Sequence, residues 1–384
     1  MKLYIFPFNL LNRHYLFLLI LFLNHIYDSL GVIETGYYPY VKRLYDGNYI
    51  LLSSSVISFV DETFTNTFNY LNLSENIYSN YDETGSTTVA QFKNENNGYI
   101  VAIIEKYIYI FAPNGTLLAG GNQYSDIIKD SRFPCPVIVN NNVQDDNYTF
   151  TIITTADQNG YYCDFHKMIF IPSGSSGTLI KDNEGSSSFL FSQNYYALLA
   201  CDMMIKDGQE YIACFYGKEK IINCHIFNFN YEVIQNQTTY IEIDEYYSFF
   251  HFLNVDVLPT TREKALICSN NYYILCLSYD IATNSFGEYS TPNGDYDCYR
   301  PLPHINSLIM EYFYETERFI VGCQRSSYEL KLSEYYSNFT LCSEYHSLNS
   351  LGRFYGYIPN IFLPTNQTHY NLFFNVPYVS QLLS

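Results

Sequence analysis

One short pattern recurs along this chain and restricts what it can fold into. A polar turn is followed at once by an apolar strand. The turn is Asp-Gly-Asn before Tyr49, Asn-Asn-Gly before Tyr99, Asp-Asp-Asn before Tyr148 and Asp-Gly-Gln-Glu before Tyr211. It is Arg-Glu-Lys before Ala265, Thr-Glu-Arg before Phe319 and Gln-Thr-His before Tyr370. The seven anchors are spaced by 50, 49, 63, 54, 54 and 51 residues. A short apolar segment precedes each turn, as at Val89 to Phe92, Phe252 to Leu258 and Asn360 to Leu363. Another follows the anchor, as at Tyr107 to Phe111, Ile222 to Phe227 and Ile274 to Tyr279. Strands bounded by Gly, Asn, Asp and Pro dominate, and apolar spacing at 3.6 residues is sustained almost nowhere. The chain reads as all-β.

Composition agrees. Aromatic residues make up 18%, with 42 Tyr, 29 Phe and no Trp, and such rings favour pleated, half-buried surfaces. A unit of about 50 residues holding four strands cannot bury both of its faces alone, so units must stack. A linear solenoid uses shorter coils, and a two-sheet sandwich does not repeat seven times. The pattern resembles the β-propeller architecture, with seven four-stranded blades, and six or eight blades as neighbouring counts. No named repeat family fits: without Trp there is no WD signature, and kelch double glycines do not recur. The seventh unit is short. Its first strand is Asn360 to Leu363, its second Tyr370 to Val376 and its third Tyr378 to Leu383. Val32 to Tyr38 is expected to pair as its outer strand and so close the ring, because a long unpaired edge is avoided.

The first 31 residues read as a signal peptide, leaving 32–384 as a single propeller domain. Lys2, Arg13 and His14 precede the apolar run Tyr15 to Leu23, which is too short to span a bilayer, and Ser29-Leu30-Gly31 supplies small residues for cleavage. An uncleaved signal anchor is the alternative. Ten Cys all lie beyond this leader, an even number suited to disulfides in an oxidising compartment. Glycosylation acceptors stand at Asn72, Asn114, Asn147, Asn236, Asn338 and Asn366. The expectation is a secreted or secretory-pathway protein with no stable membrane insertion after cleavage. The net charge of −18, with no run of Lys or Arg, argues against nucleic acid as a partner.

Four cysteines fall at corresponding places on the second and third strands of units four and five: Cys214 with Cys224, and Cys268 with Cys276. Both pairs are expected as disulfides within a blade. Cys135, Cys163, Cys201, Cys298, Cys323 and Cys342 cannot be paired from sequence. The close Cys/His pairs, Cys163 with His166, Cys342 with His346 and Cys224 with His225, lack the second half of a zinc site.

Asp202 and Asp256 each lie nine residues before an anchor, on the first strands of consecutive units. If blades start at the axis, both carboxylates line the central channel. Paired carboxylates bind a cation or act as acid and base on a glycoside. The plainer account is a wet channel that tolerates acids in an acidic chain. No other cofactor is indicated. The sequence therefore points to a secreted or surface-associated binding module for an extracellular protein or glycan. An extracellular carbohydrate-active hydrolase or lyase using the channel carboxylates is the alternative.

Overall fold

A computed structural model describes residues 40–52, 56–62, 66–73, 87–93, 98–128, 135–143, 146–156, 161–192, 198–218, 220–241, 252–270, 274–290, 308–313, 317–326, 329–349, 361–366, 369–376 and 379–383. The expected signal peptide, 1–31, and the expected closing strand, Val32 to Tyr38, lie outside them.

The described residues form seven antiparallel sheets, each a simple up-and-down meander. The first holds β1 (Tyr40–Arg43), β2 (Tyr49–Leu52), β3 (Val56–Val60) and β4 (Thr67–Asn72). The second holds β5 (Thr88–Gln91), β6 (Ile100–Ile104), β7 (Tyr107–Phe111) and β8 (Leu117–Gln123). The third holds β9 (Val137–Val139), β10 (Tyr148–Ala156), β11 (Tyr161–Ser173) and β12 (Ser176–Ser192). The fourth holds β13 (Leu198–Lys206), β14 (Gln209–Lys218), β15 (Ile221–Phe227) and β16 (Val233–Tyr240). The fifth holds β17 (Phe252–Val257), β18 (Lys264–Asn270), β19 (Ile274–Asp280) and β20 (Ser285–Ser290). The sixth holds β21 (Leu308–Phe313), β22 (Arg318–Ser326), β23 (Glu329–Tyr336) and β24 (Leu341–Asn349). The seventh has three strands, β25 (Ile361–Asn366), β26 (His369–Val376) and β27 (Val379–Leu383).

Every anchor falls in or immediately before the second strand of a sheet. The reason is burial. A second strand between two sheets needs apolar side chains on both faces, as Ile100–Ile104 does between the first and third sheets, and both it and Tyr49–Leu52 are buried throughout. The fourth strands face water and alternate, as Val233–Tyr240 does. The 63-residue spacing after the third anchor has a plain cause: β11 and β12 run for 13 and 17 residues, an elongated outer hairpin.

The sheets stack in series. Separate apolar cores fill the gaps between the first and second, second and third, third and fourth, fourth and fifth, and fifth and sixth sheets. First strands also meet in order, β5 with β9, β9 with β13, β13 with β17, β17 with β21 and β21 with β25. Among the described residues no helix is long and apolar enough to cross a membrane.

Candidate functional site at the inner strands

The first strands of the fourth, fifth and sixth sheets each carry a part-buried acid. Asp202 on β13 and Asp256 on β17 are both there, as their positions before the turns imply. Asp202 lies opposite Ala213, which packs between the fourth and fifth sheets, and Asp256 lies opposite Leu266, which packs between the fifth and sixth. Each carboxylate is therefore turned towards the following sheet, since cross-strand partners share a face.

Asp202 is engaged. Arg262, on the β17–β18 connection of the next sheet, places Nη2 3.0 Å from its Oδ1. The same guanidinium donates from Nε and Nη2 to the Met203 carbonyl, and Asp202 Oδ1 also accepts from the Met203 amide. Both donors reach Oδ1, and the paired guanidinium already offsets the negative charge a cation would need.

Asp256 is different. Burial pushes it up to about 8; the carboxylates of Glu311 and Asp202 push the same way, while Lys42 and Arg262 oppose them. Its side chain nevertheless keeps some contact with solvent. The packed side chains around it solvate an anion poorly, which favours the protonated form.

Glu311 on β21 completes the group. It sits opposite Ile320, the residue after the anchor, as Asp256 sits opposite Leu266. Counting nine residues back from Phe319 instead selects Met310, which packs in the core between the fifth and sixth sheets. The fifth blade's anchor Ala265 pairs eight residues back with Val257 and the sixth's Phe319 seven back with Tyr312, and that one residue reverses the face. Burial also raises Glu311, with Lys42 and Arg43 pulling it back. Lys42 and Arg43 lie on β1, so the inner strands of the first, fifth and sixth sheets converge on one charged centre. Among the described residues no group of three or more His, Cys, Asp or Glu is arranged to hold a metal ion.

No protein family matches the chain, and no curated protein matches it in sequence. Solved structures match it in fold. The β-propeller domain of Cps50 (Swd1) from Myceliophteria thermophila superposes with a TM-score of 0.51 at 9% identity, covering 92% of this chain and 98% of that one. The Dos1 propeller gives 0.44 at 11% identity, over 91% and 82%. The WD40 domain of SCAP from fission yeast gives 0.42 at 9%, over 83% and 67%. This chain folds as a β-propeller.

In the propeller's fifth blade, Cys268 and Cys276 are direct cross-strand partners and form a disulfide, with Cα atoms 4.1 Å apart. Cys214 and Cys224 are not brought together. Their strands pair Phe215 with Cys224 and Cys214 with His225. Cys214 therefore faces the third blade and Cys224 the fifth, and both are free thiols. Turn length decides this. Residues 271–273 join β18 to β19, whereas residues 219–220 join β14 to β15, so the parity of the register differs and a separation of ten cannot be a direct pair.

The acceptors Asn72, Asn114, Asn236 and Asn338 are exposed and Asn147 is part-exposed; Asn366 ends β25. His166 is held by Thr154, whose hydroxyl lies 3.0 Å from Nε2.

Proposed function

We propose that this propeller is a secreted or surface-associated binding module for an extracellular protein or glycan. The observation that carries the reading is a pair of exposed rings on its rim. Tyr240 ends β16 and Tyr289 is the penultimate residue of β20. They are 61% and 42% exposed, and their strands touch, so both rings stand at the same end of the outer strands of neighbouring blades. Tyr70 on β4 of the first blade is 63% exposed. Rings held on sheets lose little freedom on binding, and they stack on sugar faces or anchor a protein surface. Many other rings among the described residues serve the core, as the fully buried Tyr335 does, while its exposed neighbour Tyr336 lies under the Arg318 guanidinium. The apolar leader, the even cysteine count and the exposed sequon asparagines support export. The test is a glycan array and a panel of extracellular proteins, probed with wild type and with Tyr240→Ala/Tyr289→Ala. The reading expects saturable binding that the double variant loses at unchanged Tm. Undiminished binding by the folded variant overturns the rim as the site.

A second reading rests on Asp256. A carboxyl that burial raises, with a second carboxylate near it, is the arrangement a glycoside-cleaving acid needs. Against it stands the Arg262 clamp on Asp202, which pairs a guanidinium with the carboxylate that would act as base, nucleophile or cation ligand.

A further inference from the structure

We propose that Cys201 and Cys214 close a second in-blade disulfide when the protein is oxidised, stapling the innermost strand of the fourth blade to its neighbour. Strands β13 and β14 are joined by the two-residue turn Asp207-Gly208, with φ of 52° and 75°, the left-handed pair that marks a tight hairpin. The flanking residues Lys206 and Gln209 are partners, and the ladder then runs without a bulge to Cys201 opposite Cys214. In a two-residue hairpin the flanking pair exchanges both backbone hydrogen bonds, and the type of pair alternates from there. Cys201 and Cys214 are five steps along, so they form a non-hydrogen-bonded pair, the close kind, with Cα atoms typically about 4.5 Å apart. That separation is within the range a disulfide spans. Cross-strand partnership is also the arrangement that Cys268 and Cys276 use one blade on.

The two thiols lie close together, and Cys163 of the third blade lies close to both. All three belong to the gap between these blades. Cys163 stands on β11, opposite Thr155 and Phe189, so it has no cysteine across its own ladder. Only Cys201 and Cys214 are held by backbone pairing in the geometry a bridge needs. Burial keeps the Cys201 thiol protonated in the folded blade, so the bond is best made before the third and fourth blades pack.

The chemistry is exchange with a disulfide-bearing oxidant, such as an oxidised thiol oxidoreductase or oxidised glutathione. One cysteine, as thiolate, attacks the oxidant's S–S bond and releases one thiol. The other cysteine then attacks the protein-side sulfur of the mixed disulfide and releases the second thiol. The protein loses two protons and two electrons, and the oxidant's disulfide gains them. The bridge would fix the strand that presents Asp202, the residue after Cys201, to Arg262. The supply of oxidant in the cell rests on the export reading; the pairing itself does not.

Trypsin offers a clean test, because Lys206 separates the two cysteines. Residues 182–206 contain Cys201 and residues 207–218 contain Cys214, with no other cysteine in either. Full-length protein from the culture medium is alkylated without reduction, digested and analysed by mass spectrometry, and a second sample of purified protein is unfolded and refolded in a glutathione redox buffer. The expected result is a linked 182–206/207–218 species in both, lost on reduction and absent from Cys201→Ala. Alkylated Cys201 and Cys214 beside an intact Cys268–Cys276 bridge overturn the proposal and leave export standing. A Cys163–Cys214 link overturns it too. If the protein stays inside the cell and all its thiols are free there, the export reading fails, and the refolded sample alone decides the pairing.

Discussion

Arg262 Nη2 lies 3.0 Å from Asp202 Oδ1, and this contact crosses from the fifth blade to the fourth. It is half-buried at both ends, at 17% and 30% side-chain exposure, so solvent weakens it less than a surface pair. Removing Arg262 would also strip two donors from the Met203 carbonyl.

Arg262→Ala is therefore expected to cost about 1–3 kcal/mol. Asp202→Asn should cost less, because the amide oxygen still accepts from Met203 and Arg262. Lysine should rescue poorly, since it lacks the planar fork. Urea unfolding of the three variants measures this, and equal stability of Arg262→Ala and wild type would refute the clamp.

The pH dependence follows from Asp256. Its folded value, about 8, lies above its ordinary 3.8. Between those values the folded protein holds a proton that the unfolded chain releases. By linkage, this group's contribution to stability is greatest below about pH 4 and declines as pH rises towards about 8. Glu311 is shifted in the same direction. Asp256→Asn should flatten the decline and leave the protein at least as stable as wild type at pH 8. Tm measured from pH 5 to 9 for both proteins gives the answer.

The close approach at Gly98 sets a third expectation. A Cβ there would stand 1.7 Å from the Phe92 carbonyl oxygen, beside a hydrogen bond from the Phe92 amide to the Tyr99 carbonyl. No side-chain adjustment relieves a clash with backbone. Gly98→Ala should cost about 2–4 kcal/mol and displace the fully buried Phe92. A Tm within a degree of wild type would show that the turn opens freely.

The blade repeat was legible because second strands are buried on both faces, which forces unbroken apolar runs such as Ile100–Ile104. Register was legible only where the turn announced itself. Asp207-Gly208 is a sequence signal for a two-residue hairpin, and reflecting Cys201 across it lands on Cys214. That inference needs no coordinates, yet matching Cys214 to Cys224 by strand order bypassed it. Glu311 was hidden for a related reason: counting from an anchor assumes equal connections, and one residue of difference exchanges Met310 for Glu311. Arg262 could not be foreseen, because its partner is 60 residues away on another blade.

The chain end gives a fourth expectation. β27 pairs with β26 over Val379–Leu383, and β25 meets β21 of the sixth blade. Deleting the last dozen residues removes β27 and half of β26, and so weakens the blade that meets the sixth. The whole domain should then melt at a lower Tm in one transition. Unchanged melting would mean that the other blades do not depend on this one.

The proposed binding at the Tyr240–Tyr289 rim requires neither inner carboxylate. Wild type and Asp256→Asn are assayed side by side for ligand capture and for hydrolysis of the captured glycans. Equal capture by both proteins, with turnover by neither, is the expected result. Turnover by wild type that Asp256→Asn abolishes, with folding and capture intact, would contradict it and establish the inner carboxylates as a catalytic site.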